Sequence, residues 1–169
     1  RNKEMRQRLD NIIETAHNND LLFEKTKTLI LNLLDGKTLP SLVETLYESL
    51  GQDYAIEFYS LTLMGEESQL PATKARIASV DKASETVGTL LKSNGPVCGV
   101  LREDETTFLF GERGRQVGSV AVVPIKCKNL SGLLAVGNSD PNFYTSTMGT
   151  LFLSYIAEVL NRVLPKNLK

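Results

Sequence analysis

Residues Val117 to Leu160, VGSVAVVPIKCKNLSGLLAVGNSDPNFYTSTMGTLFLSYIAEVL, hold two extended apolar runs followed by a helical one. Val117 to Ile125 and Gly132 to Gly137 are rich in Val, Leu and Ala at strand length. They flank Cys127-Lys128-Asn129-Leu130, which predicts a hairpin. Beyond Phe143, Met148, Leu151, Phe152, Tyr155, Ile156, Val159, Leu160, Val163 and Leu164 step at helical spacing until Pro165, which predicts a long amphipathic helix.

Working back from the hairpin, Val97 to Leu101 and Thr106 to Phe110 read as strands. Asn94-Gly95-Pro96 ends a helix that Asp81 would cap and that runs through Leu91. Arg76 to Val80 and Ala55 to Leu63 (AIEFYSLTL) add two more strands. Ser41-Leu42-Val43-Glu44 has the capping-box pattern, Ser accepting from the third helical amide and Glu reaching back. The helix it opens puts Val43, Leu46, Tyr47 and Leu50 inward and closes at Gly51. The sum predicts an α+β domain over 41–165, with a six-stranded antiparallel sheet and its helices on one face.

Residues 1–35 read differently. Met5, Ile12, Asn19, Thr26 and Leu33 alternate with Leu9, Ala16, Phe23 and Ile30 at gaps of four and three, which is a heptad seam. Polar Asn19 at a seam position fixes register and strand number at a cost in stability. Ile13, Leu22, Leu29 and Leu34 widen the stripe, so the second half of this long N-terminal helix is expected to touch its own domain as well. Asp35-Gly36 is the expected stop, Gly36 by adopting a left-handed conformation, and Pro40 bars continuation. The expectation is a homodimer through Met5, Leu9, Ile12, Ala16, Asn19 and Phe23; the alternative is one amphipathic helix lying on its own domain.

Composition narrows the partners. Nineteen basic and twenty acidic side chains leave a net charge of -1, so no global field favours nucleic acid or an anionic membrane. The apolar runs are too short to span a bilayer. Two cysteines, Cys98 and Cys127, make no disulfide framework and no signal peptide is evident, so a cytoplasmic setting is expected; the chain opens on Arg1, and a leader removed before it would alter that reading.

The segment quoted first resembles the C-terminal half of a GAF domain: Val123-Pro124 ending a strand, Gly132-Leu133-Leu134-Ala135-Val136-Gly137, then Phe143 and Leu151 in order. The whole chain further resembles an uncharacterised bacterial family of GAF-like proteins, through Asn18-Asn19-Asp20-Leu21-Leu22-Phe23-Glu24-Lys25-Thr26 and Met148-Gly149-Thr150-Leu151-Phe152-Leu153. The resemblance implies a GAF-like fold and a sensory or regulatory role. Its known ligand signatures are missing. The Asn-Lys, Phe and Asp-Glu set of cyclic-nucleotide binders does not map onto Glu103 to Glu112. Cys98 is followed by Gly99 rather than the His of bilin binders, and two cysteines fall short of the cluster in methionine-sulfoxide-reducing relatives.

Candidate chemistry is sparse. The single histidine, His17, lies on the long N-terminal helix, poorly placed to serve a nucleophile on the domain, so no catalytic residue is assigned and the chain reads as a non-enzyme. One His and two separated Cys make no N/S metal site, and Glu103-Asp104-Glu105 reads as a solvated acidic turn; no metal or cofactor is expected. Gly111-Glu112-Arg113-Gly114-Arg115 reads as a basic hairpin turn in preference to a phosphate loop. Cys98 reads as a small core residue. The candidate ligand set is Arg102 with Phe108, Phe110 and Ser119 on the edge of a cavity, set against Arg102 merely pairing with Glu103 or Glu105. The expected function is a homodimeric small-molecule sensor or regulator of unidentified ligand; the alternative is a ligand-free protein-protein interaction module.

Overall fold

The computed structural model describes residues 2–65, 75–93, 95–126, 131–145 and 151–164, with side chains throughout except at 2, 8–19, 22 and 151. The elements run α1 (Asn2–Leu34), α2 (Leu39–Glu48), β1 (Phe58–Met64), β2 (Arg76–Ala78), α3 (Val80–Leu91), β3 (Val97–Gly99), α4 (Glu103–Phe110), β4 (Ser119–Lys126), β5 (Ser131–Asn138) and α5 (Leu151–Val163). A π-turn, Ser49–Asp53, follows α2, and a 3-10 turn, Gly111–Gln116, follows α4.

The sheet order is β2-β1-β5-β4-β3. The β4–β5 pairing matches Ser119 with Asn138 and Lys126 with Ser131, as the hairpin reading requires; its turn, residues 127–130 with Cys127, lies outside the described residues. β5 pairs antiparallel with β1, and β3 with β4, but β1 and β2 run parallel.

The architecture is therefore α+β, with three corrections to the expected sheet. It has five strands among the described residues, because Thr106 to Phe110 is helical, and it is mixed, because β1 and β2 run parallel. The β-branched and aromatic Thr-Thr-Phe-Leu-Phe run is overridden by its N-terminal context. Glu103, Asp104 and Glu105 crowd the first turn, where the amide ends of a helix favour negative charge. The Glu105 carboxylate accepts the backbone N–H of Arg102 at 3.1 Å. Helices also cover both faces of the sheet. Leu61, Leu63, Ala121, Val123, Ile125, Leu134 and Val136 meet α1, α2 and α5, while Val120, Val122, Leu133 and Ala135 meet α3 and α4. Val-Ala-Val-Val and Leu-Leu-Ala-Val carried that message, since a strand buried on both faces has no polar alternation.

Other boundaries move for local reasons. α2 is capped by Thr38, whose hydroxyl accepts from the Ser41 amide at 3.2 Å, so Pro40 sits in its first turn, where no N–H is needed, and Ser41 is not the cap. Gly36 has no positive φ; its lack of a side chain matters because a Cβ there would come 2.5 Å from Leu42 Cδ2. β1 starts at Phe58, three residues late, because Ala55 takes φ 52° to leave the π-turn. Ser79 replaces Asp81 as the cap of α3 and ends β2 at Ala78. β3 stops at Gly99, whose φ is 144°.

α1 reaches Leu34 as expected. Its last turns join the core: Leu29, Leu33 and Thr26 are buried, and the Thr26 and Tyr54 hydroxyls share a hydrogen bond of 2.7 Å. Met5 and Phe23 are 65% and 68% exposed, while the side chains of Leu9, Ile12, Ala16 and Asn19, and of His17, lie outside the described residues. Met148 to Thr150 and Pro165 also lie outside them.

Candidate ligand cleft

One face of the sheet is open along its β1–β2 side. A cleft of ≈ 1220 Å³ lies there, bounded by β1, β2, the start of α3, α4 and the 3-10 turn. Its lining includes Thr62, Arg76, Ser79, Lys82, Thr86, Glu103, Asp104, Thr107, Phe108, Glu112 and Arg115.

The floor follows from strand alternation. Tyr59, Leu61 and Leu63 pack with the α1, α2 and α5 cluster, so Ser60 and Thr62 face the other way. Ser60 Oγ donates to the Leu109 carbonyl at 2.6 Å. Thr62, 1% exposed, has a hydroxyl with no hydrogen-bond partner. An unsatisfied buried hydroxyl costs about 1–3 kcal/mol, which makes it the most unusual polar atom in this face.

Arg76 is placed by β2, in register with Thr62. Its Nε donates to the Phe108 carbonyl at 3.1 Å, and its guanidinium passes over Gly111, where a Cβ would lie 2.9 Å from Nη1. Gly111 also has φ 72°, and it is this backbone conformation that disfavours other residues at the turn after α4, since the Arg76 side chain can give way. At Gly114 a Cβ would come within 2.6 Å of the Thr106 carbonyl carbon and oxygen and the Thr107 nitrogen. The two glycines of Gly111-Glu112-Arg113-Gly114-Arg115 thus serve close packing of a 3-10 turn on α4. The segment is not the expected hairpin turn. Its arginines point to neighbours: Arg113 stacks 4.8 Å over the Phe58 ring, and Arg115 Nε pairs with Glu103 at 3.2 Å.

The four residues expected to share a site are dispersed. Phe108 lines the cleft. Phe110 lines a smaller hollow of ≈ 150 Å³ with Tyr47, Phe58, Tyr59 and Arg76. Arg102 is 71% exposed, with Nε 3.3 Å from Glu105 and 3.5 Å from Asp104, and does not line the cleft. Ser119 is buried at the start of β4, where its hydroxyl donates to the Asp140 carbonyl at 2.6 Å and accepts from the Tyr144 amide at 3.1 Å. By alternation from Val120 it faces away from Phe108. Thr62, Arg76 and Lys82 went unnoticed in the sequence. The readable sign was two hydroxyls at period two, Ser60 and Thr62, on one side of an otherwise apolar strand.

Cys98, on β3, is half-buried against the larger core cluster. Among the described residues no three His, Cys, Asp or Glu are grouped to hold a metal ion, and no helix is long and apolar enough to cross a membrane.

Three solved GAF domains share the fold. That of an Acinetobacter phosphoenolpyruvate-protein phosphotransferase aligns with TM-score 0.62 at 16% identity, over 85% of this chain and 92% of that one. The nlh2 GAF domain of A. aeolicus in an inactive state gives 0.56 at 11%, over 87% and 97%. The phycoerythrobilin-bound GAF domain of a cyanobacterial phytochrome gives 0.54 at 14%, over 88% and 95%. No curated protein matches the sequence. The family model described as "Protein of unknown function, DUF484" matches residues 1–168, so this GAF-like chain belongs to that family.

Proposed function

We propose that the chain is a non-enzymatic sensory or regulatory domain that takes a small molecule in the β1–β2 cleft and acts as a homodimer through α1. The observation that carries the reading is the asymmetry of the sheet: one face is filled by helices, and the other keeps an open, polar-rimmed cleft over a buried hydroxyl. β1 connects the two sides. Thr62 floors the cleft, while Leu61 and Leu63 on the reverse of the same strand share a core with Leu29 and Leu33 of α1. A shift of β1 on ligand binding is thereby passed to the helix through packed side chains.

Dimerisation is supported by what α1 leaves uncovered. Met5 and Phe23 are 18 positions apart, about five helical turns, and Leu34 follows about 20° further round the same face. They are 65%, 68% and 55% exposed, beside the inward stripe of Thr26, Leu29 and Leu33. That apolar face fits a second copy in a coiled coil.

A thermal-shift screen of nucleotides, amino acids and heterocycles tests the cleft: a binder raises the melting midpoint in proportion to the logarithm of its concentration. Multi-angle light scattering tests the assembly. Met5→Glu with Phe23→Glu is expected to convert a dimer to a folded monomer whose melting midpoint is lower and no longer depends on protein concentration, and a double variant that remains dimeric counts against the α1 interface. The same exposed stripe favours a second reading, a ligand-free interaction module. A monomeric wild-type chain that co-purifies with a stoichiometric partner and binds nothing in the screen would support it.

A further inference from the structure

The chemistry of the cleft goes beyond its existence, and rests on reading it as a ligand site. We infer that the ligand is built in two parts: a neutral hydrogen-bonding group at its buried end, met by Thr62, and an oxyanion, carboxylate or phosphate, at its mouth, held by Lys82 of the first turn of α3 and Arg76 of β2.

The buried end follows from Thr62. Where this face of the sheet needs a hydroxyl satisfied, a partner is supplied, as the Leu109 carbonyl is for Ser60 two residues earlier. Thr62 Oγ1 has none, although a valine of the same shape would have avoided the cost. No charged group other than Arg76 adjoins it in the sheet, and Arg76 turns its Nε toward the Phe108 carbonyl. A neutral carbonyl or hydroxyl therefore suits the floor, with the Phe108 ring available to an apolar or planar body above it.

The anionic end follows from charge pairing around the rim. Glu103 is paired with Arg115, and Arg102 is shared by Asp104 and Glu105, so these carboxylates are engaged by arginines of their own wall. Lys82 and Arg76 have no carboxylate partner among the described residues, whereas Glu112 is the one lining carboxylate without a cationic partner there. The three cations and three carboxylates of the lining balance overall, and the cationic side is local, at Arg76 and Lys82, which no carboxylate engages among the described residues. The amides of α3 add to it, since Ser79 Oγ takes up the Lys82 N–H but leaves those of Val80 and Asp81 unbonded by the cap.

Isothermal titration of the full chain with 4-hydroxybenzoate, phenyl phosphate and uncharged 4-hydroxybenzamide tests both ends, and the first two probes separate carboxylate from phosphate. At least one anion is expected to bind about tenfold or more tightly than the amide. Lys82→Gln is expected to weaken that anion about tenfold and to leave the amide unchanged. Thr62→Val is expected to weaken both hydroxybenzoyl probes while raising the melting midpoint of the unliganded protein by about 2 °C or more, because an unpartnered buried hydroxyl is removed. An amide that binds as well as both anions, or an anion indifferent to Lys82→Gln, overturns the oxyanion and leaves the cleft as a ligand site. A Thr62→Val variant of lowered midpoint overturns the buried end. If no probe binds and amide NMR signals from Thr62 to Thr86 stay fixed in the presence of all three, the two-part ligand falls, and the cleft as a ligand site falls with it only if the thermal-shift screen is also silent.

Discussion

The two faces of the sheet are made from the same strands and end in different states. Leu134 and Val136 look into a core closed by α1, α2 and α5, whereas Leu133 and Ala135, their immediate neighbours, look toward α3 and α4, on the face whose β1–β2 side holds the open cleft. Helix length accounts for much of the difference. α5 has 13 residues, about 20 Å, but α4 has 8, about 12 Å, against a sheet about 19 Å wide for five strands. α3 is longer at 12 residues but is broken at Val87, where φ is -127° and ψ 29°. Short and interrupted helices leave the β1–β2 side of this face uncovered, and there charged side chains and the orphaned hydroxyl gather. A domain can thus place its stability on one side of a sheet and its recognition on the other.

The sharpest way to break this comparison is to truncate one side chain on each face. Leu134→Ala, at a fully buried position in the middle of the sheet, is expected to cost about 2–5 kcal/mol in urea unfolding, because the closed core cannot collapse around the void. Thr86→Ala on the cleft wall is expected to stay within about 0.5 kcal/mol, or to stabilise slightly through helix propensity. Equal losses would mean that the cleft face is as tightly packed as the other.

The closed face was legible in the sequence and the open one was not, for a physical reason. Periodicity reports burial, so the apolar steps of α5, the hairpin and the inward stripe of α1 were readable from Leu29, Leu33, Leu134 and Ile156 alone. The cleft is defined by which residues fail to find partners, and that is settled by tertiary placement. Arg102 and Phe108 are six residues apart, yet one, largely exposed, pairs with the buried Glu105 and the other lines the cavity. The helical state of Thr106 to Phe110 was hidden in the same way. Strand-forming side chains are outvoted by three acidic residues at the helix start and by burial of Thr106 and Leu109.

A smaller effect should mark the polar joint on the closed face. The Thr26–Tyr54 hydrogen bond ties α1 to a ring stacked 5.1 Å from Phe152 of α5. Thr26→Val and Tyr54→Phe are each expected to cost about 1 kcal/mol, and the double variant less than their sum, since the second change removes a partner already lost. Urea unfolding of all four proteins measures the coupling; strict additivity would show that the two hydroxyls do not stabilise one another. The same joint makes removal of residues 1–34 a poor test of dimerisation, because that cut also takes Leu29 and Leu33 out of the core.

The least visible difference between the faces appears only in alkali. Tyr144 belongs to the closed core, and burial pushes its hydroxyl from 10.0 up to about 12, with Cys98 adding a lesser push in the same direction. Burial also raises Tyr47 and Tyr54, against the lowering effect of hydrogen bonds from the Leu61 backbone and Thr26. The unfolded chain releases the Tyr144 proton near pH 10.0 while the folded chain holds it to about 12, so the native state binds more protons in that window. Stability from this group is therefore complete below pH 10.0 and is lost as pH climbs toward about 12. Tyr144→Phe is expected to change stability little at neutral pH and to lose less than the wild type at about pH 11, read as the pH dependence of the urea midpoint. Parallel alkaline slopes would move the titrating burden to Tyr47 and Tyr54 and show that the packing around Tyr144 opens to water before its proton leaves.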